Sequence, residues 1–113
     1  LVTMDPTAIS AADALEMATL GGAAALGRRE RLGSIEAGKL ADIIIVSLAK
    51  ARQQPVFDPV SQIVYASRGD DVETTIVNGR VLMRDRKVLT MDETAVIAAA
   101  RKAADLVRKA VAQ

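Results

Sequence analysis

The residues best placed to do chemistry lie in one glycine-punctuated stretch. Gly33-Ser34-Ile35-Glu36-Ala37-Gly38-Lys39-Leu40-Ala41-Asp42 sets two spaced glycines ahead of Lys39. Backbone N–H groups in such a loop can cradle a phosphate, with the lysine as counter-charge. Leu40, however, stands where a phosphate loop carries Ser or Thr after its lysine. The stretch therefore reads as a structural turn entering a strand, with its glycines serving backbone geometry. Asp42, at the strand entrance, reads as a turn acceptor rather than a lone site acid. Asp70, Asp71 and Glu73 cluster three acids. A metal needs a better organised set of oxygens, and the three read as a solvated loop. Asp13 and Glu16 stand three apart on a predicted helix, where paired carboxylates can exchange protons. Capping and solvation account for them more simply. Arg28, Arg29 and Arg31 read as wet surface.

The zeros are as informative as the clusters. The 113 residues contain no His and no Cys. No imidazole is available as general base or zinc ligand, and no disulfide or thiolate chemistry can occur. Missing Cys fits a reducing, cytoplasmic setting. Lys and Arg number 15 against 14 Asp and Glu, giving a net charge of +1. The charges are interspersed and only one Phe and one Tyr are present. A nucleic-acid binder gathers basic charge on one face, so that partner is not expected. No apolar run approaches the roughly 20 residues that span a bilayer, and no secretory signal opens the chain. The sequence begins Leu1-Val2-Thr3-Met4. It reads as a piece of a longer product, with a purification remnant or a start at Met4 as the alternatives.

These residues must be held by a few short elements. Ser10 is a helix N-cap with Asp13 three residues on. The spacing predicts a helix over residues 11–20, interrupted at Gly21-Gly22, then one or two helical turns over 23–26 stopped by Gly27. Ile43-Ile44-Ile45-Val46 predicts a strand buried on both faces. Asp58 caps a short helix that starts at Pro59. Asn78-Gly79 between two β-rich runs, 73–77 and 80–84, predicts a hairpin. Asp85-Arg86 makes a further turn into a short strand at Val88-Leu89-Thr90. Thr90 and Asp92 are both candidate caps for a final helix over 93–111. Its apolar stripe runs through Val96, Ile97, Ala100, Ala103 or Ala104, Val107 and Val111. So few strands cannot cover both faces of a sheet, so the chain is expected to need elements it does not contain.

Three stretches together resemble one family. Ala14-Leu15-Glu16-Met17-Ala18-Thr19-Leu20-Gly21-Gly22-Ala23-Ala24-Ala25-Leu26-Gly27 resembles the helix pair that ends the barrel of amidohydrolase-superfamily enzymes. The segment from Gly33 through Asp42 to Val46 is similar to their G-S-I-E-x-G-K-x-A-D-hydrophobic run. Val77-Asn78-Gly79-Arg80-Val81-Leu82-Met83 resembles their V-x-G-x-x-V hairpin. Phe57-Asp58-Pro59-Val60-Ser61-Gln62-Ile63-Val64-Tyr65-Ala66 points to the branch holding triazine hydrolases and methylthioadenosine/S-adenosylhomocysteine deaminases.

The resemblance implies an α+β fragment: the closing helices of a (β/α)8 barrel, the C-terminal half of a small β-sandwich, and a terminal helix. Residues 1–31 would be terminal barrel helices, and 32–48 the turn and strand of a composite sandwich. Residues 49–70 would be a loop and short helix packing on the barrel. Residues 71–91 would be the hairpin and third strand of the sandwich, and 92–113 the C-terminal helix. The family's divalent metal, commonly zinc, is held by His residues and an Asp on barrel strands, and it activates water. None of those ligands maps onto this chain, so no catalytic, cofactor-binding or metal residue is assigned to it.

Two functions follow. The chain is the C-terminal portion of a metal-dependent hydrolase of ring C–N or C–Cl bonds, inactive alone, with the N-terminal barrel portion as its partner. Alternatively it is a free-standing structural or interaction module descended from such an enzyme. The terminal stripe packs on the parent enzyme in the first reading, with a homo-oligomer interface as the second.

Overall fold

Ser10 starts the first helix by a reciprocal contact. Its Oγ accepts the Asp13 N–H at 3.2 Å, and the Asp13 carboxylate accepts the Ser10 N–H at 3.0 Å. Two of the helix's otherwise orphaned donors are satisfied together, and α1 runs Ala11–Glu16. The computed structural model of the chain describes Asp5 and residues 7–111. Residues 1–4, Pro6 and 112–113, at the edges of the first and last expected segments, lie outside the described residues.

The expected break at Gly21-Gly22 does not occur. Both glycines keep right-handed helical angles. The chain instead widens into a π-helical turn over Met17–Gly21 before α2, Gly22–Ala25. Glycine in a helix costs about 1 kcal/mol of backbone entropy but forbids nothing sterically. Thr19 Oγ1 donates to the Leu15 carbonyl at 2.7 Å inside this turn. The end is where the sequence puts it. Gly27 takes φ +64, its N–H reaches Ala24 O at 2.9 Å, and the Arg28 N–H reaches Ala23 O at 2.8 Å. This paired closure is the Schellman motif.

Four strands follow in one antiparallel sheet of order β1-β2-β3-β4: Ile43–Val46, Val72–Val77, Arg80–Arg84 and Lys87–Val88. Asn78 and Gly79 take φ 49 and 76, as a two-residue hairpin turn requires. Asp85 and Arg86, at φ 48 and 63, turn the chain a second time. The last strand is shorter than expected. Only Lys87 and Val88 pair, against Arg84 and Met83, although the Leu89 N–H still donates to Leu82 O at 2.8 Å.

Between β1 and β2 the chain makes α3, Pro59–Tyr65, which packs beside α1. Asp58 accepts the Ser61 N–H at 2.8 Å as its cap. The final helix, α4, spans Glu93–Val111. Of its two candidate caps, Asp92 is the one engaged, accepting the Ala95 N–H at 3.1 Å.

The chain leaves its apolar surface uncovered. Ala11 and Ala23 are the only buried apolar side chains among the described residues. The radius of gyration is 19.5 Å, where a compact domain of this length has about 13 Å. The accessible surface is 8945 Å², roughly 3,000 Å² more than a compact monomer of this mass exposes. An excess of that size matches an obligate interface. Ile44 and Ile45, expected in the interior of a layered sheet, are 56 % and 51 % exposed because, among the described residues, no helix or second sheet packs over the faces of β1.

Candidate functional site

The Gly33–Asp42 stretch folds into a tight structural corner. Gly33 has φ +89, and a Cβ there would stand 2.9 Å from Leu20 Cα and from Thr19 O. Only glycine lets the loop lie this close to the π-helical turn. Lys39 is folded inward, its side chain 13 % exposed. Its Nζ donates to Ser34 Oγ at 2.6 Å and pairs with Glu36 at 3.2 Å, while Ser34 donates to the Glu36 carboxylate. The Ser34 hydroxyl and the Lys39 ammonium hold the Glu36 carboxyl below the usual range. The lysine is therefore spent on its own loop and is not free to meet a phosphate. Asp42 acts as a turn acceptor, as its position suggested, but for a distant turn. Its carboxylate takes the Asn78 N–H at 2.6 Å, and the Gly79 N–H reaches Ala41 O at 3.0 Å. The strand entrance and the hairpin tip are clasped together.

The three clustered acids separate, and the solvated-loop reading fails for one of them. Asp71 is fully buried. Arg52 donates to both of its oxygens at 2.6 Å, Lys50 lies 2.9 Å away, and the Arg68 N–H donates at 2.8 Å. Burial pushes the Asp71 carboxyl up. Hydrogen bonds from Lys50 and the Arg68 amide, with the charges of Arg52 and Lys50, outweigh this and hold it below 3.8. The same contacts with Asp71 and Asp70 raise the Lys50 ammonium. Asp70 shares both cations at 3.1 and 3.2 Å but stays half-exposed. Gln53 is also buried, donating to Ser47 O at 3.0 Å and Ser67 Oγ at 3.3 Å. Together these groups pin residues 47–54 onto residues 67–71. Charged partners 18 to 21 positions apart left no local pattern in the sequence from which this clamp could be read.

The remaining candidates stay apart. Asp13 caps α1, and with Glu16, Met17, Gly21 and Arg29 it lines a shallow hollow of about 270 Å³. Arg28, Arg29 and Arg31 are exposed. The best-formed concavity, about 480 Å³, lies between α2 and the entrance to β1. Leu26, Leu32, Ile35, Ile43 and Ile44 are the large apolar members of its wall, and Asp42 and Thr19 are among its few polar members. It suits apolar side chains and offers no acid–base pair, since the Asp42 carboxylate already holds the Asn78 N–H.

A metal does not fit these residues. Among the described residues no three His, Cys, Asp or Glu side chains are grouped to hold one. The Asp70 and Asp71 carboxylates are already committed to Lys50 and Arg52.

Comparison with known proteins adds the missing context. A sequence model described as "Amidohydrolase family" matches residues 1–82. A 5-methylthioadenosine/S-adenosylhomocysteine deaminase of Syntrophobacter fumaroxidans is 48 % identical over 90 residues, which are 80 % of this chain and 20 % of that protein. The crystal structure of a zinc-bound adenosine deaminase from Xanthomonas campestris superposes with a TM-score of 0.86 at 41 % identity, over 96 % of this chain and 25 % of its own. An atrazine chlorohydrolase from Arthrobacter aurescens, crystallised with zinc, gives 0.75 at 29 % identity over 89 % and 24 %. The chain thus spans about a fifth to a quarter of the proteins it matches.

Proposed function

This chain belongs to the amidohydrolase family, and from that premise we propose that it is the C-terminal structural portion of a metal-dependent deaminase. One observation carries the proposal: the chain spans about a quarter of a solved relative's length and leaves its own apolar faces bare. In this reading residues 1–31 close a (β/α)8 barrel and residues 49–70 pack on it. Residues 32–48 and 71–91 give half of a β-sandwich, and 92–113 form a helix laid against the rest. The catalytic groups and a divalent metal, zinc by analogy with the solved relatives, belong to the remainder of the enzyme. No catalytic step is assigned to a residue of this chain.

The relatives' names favour an adenosine-type nucleoside as substrate, losing its ring amino group as ammonia; ring dechlorination is the second chemistry of the branch. The partner is the N-terminal barrel portion, and a cytoplasmic setting completes the reading. Among the described residues no helix is long and apolar enough to cross a membrane.

The free edge of β1 and the hollow beside it support a docked strand from the upstream portion, because an unpaired edge otherwise invites wrong partners. α4 supports the same reading. None of its 19 residues is buried, and Val107 and Val111 are 63 % and 81 % exposed. In proteins most helical stability comes from packing an amphipathic face, not from the helix itself. Its amides should exchange with solvent quickly in the 113-residue chain and slow by about tenfold or more once the upstream portion is supplied, as packing adds over 1.4 kcal/mol of local stability. Protected α4 amides and cooperative melting of the chain alone would favour the free-standing module instead.

A further inference from the structure

Asn78-Gly79 carries a reactivity that its work as a hairpin turn does not use. Both residues are exposed, and a Cβ on Gly79 would meet nothing within 4 Å. No side chain therefore shields the Asn78 amide from the backbone nitrogen that follows it. That nitrogen can attack Asn78 Cγ. The N–Cγ bond forms, the Cγ–Nδ2 bond breaks, and Nδ2 leaves as ammonia with the proton lost by the Gly79 nitrogen. Water then opens the cyclic imide at either carbonyl, leaving aspartate or isoaspartate.

Two hydrogen bonds oppose the first step. The Gly79 N–H is held by Ala41 O at 3.0 Å, so the attacking nitrogen keeps its proton. The Asn78 N–H is held by Asp42 Oδ1 at 2.6 Å, which fixes the asparagine backbone at φ 49. We infer that Asn78 is a self-deamidation site held dormant by the Ala41–Asp42 clasp while the sheet is formed. Release of the clasp starts an irreversible change. Isoaspartate places an extra backbone carbon in the turn, and a two-residue hairpin cannot absorb it while keeping Val77 opposite Arg80. Deamidation would thus convert a transient opening of the sheet edge into permanent loss of the hairpin.

Mass-spectrometric peptide mapping of the chain assembled with its upstream portion, aged in mildly alkaline buffer with and without urea, tests this. Asn78 should gain the amide-to-acid mass about tenfold more slowly without urea, the factor carried by 1.36 kcal/mol of barrier. Asp42→Ala should raise the rate without urea, whereas Asp42→Asn, whose side-chain carbonyl still accepts, should stay slow. If the alanine variant loses the sheet, Asp42→Glu replaces it, since the longer side chain misplaces the acceptor while keeping its charge. A rise with β2 amides still protected from exchange supports the clasp. Equal rates with and without urea, conversion at a glutamine only, or no rise in the Asp42→Ala and Asp42→Glu variants would overturn it.

Discussion

Replacing Gly33 with alanine is expected to unseat the loop from the first helical segment and to destabilise the folded protein by about 2–5 kcal/mol. Two separate terms make up that figure. An L-residue in the left-handed region costs roughly 1–2 kcal/mol, and Gly33 sits at φ +89. Forcing an added methyl into a packed contact costs roughly a further 1–3 kcal/mol. Here the methyl would meet backbone, Leu20 Cα and Thr19 O at 2.9 Å, and Ala23 Cβ at 3.0 Å. None of these is the end of a flexible side chain that could swing away. The urea midpoint of the chain assembled with its upstream portion would show the loss. Gly38→Ala serves as the comparison, since its φ is +90 but nothing lies within 4 Å of its Cβ position. It should suffer the conformational term alone. Equal losses for the two would remove the close approach as the reason for Gly33.

The second large effect is expected at Asp71. Asp71→Ala leaves the Arg52 guanidinium and the Lys50 ammonium facing each other without the buried carboxylate that joins them. Removing the buried partner is costly because two part-exposed cations and the Arg68 N–H lose the acceptor that joins them, and only the half-exposed Asp70 is left to pair with the cations. Asp70→Ala removes a half-exposed carboxylate from the same pair of cations and should cost clearly less. The pH dependence has a definite sign. The Asp71 carboxyl lies below its ordinary 3.8 in the folded chain. The folded state therefore binds fewer protons than the unfolded state near that pH. Stability from this group is fully present above 3.8 and is lost as pH falls through the lowered folded value. Acid titration of the melting temperature should show that loss in the parent sequence and a shallower one in Asp71→Ala. Identical acid profiles would mean the network contributes nothing.

What could be read from the sequence was whatever is decided locally. Asn78-Gly79 specifies its own turn, Ser10 and Asp58 cap the helices they precede, and Gly27 ends α2 by its own backbone freedom. The run of β-branched residues at 43–46 fixed β1 as a strand. The burial that its pattern demands is not found within this chain, where Ile44 and Ile45 are exposed. Non-local features were not legible. Asp71 is buried by partners from a loop far off in sequence and Gln53 where that loop meets Ser67, and their residue types alone suggest surface. Gly33 advertised a turn but not its approach to Thr19 and Leu20. The π-helical turn was also hidden, because glycine pairs signal a break more often than a widened helix. The site itself offered little to read: the motifs that identify the family here are its structural corners, and their side chains are occupied with one another.

The most direct measurement of the central claim is ammonia release from an adenosine-type nucleoside. It is followed for the 113-residue chain alone and for the chain supplied with the upstream portion of the enzyme, each with zinc present and after chelation. The expected result is no metal-dependent release by the chain alone, and release by the assembled protein that chelation abolishes. Metal-dependent turnover by the 113 residues alone, or an assembled protein that folds yet shows no dependence on metal, would contradict it.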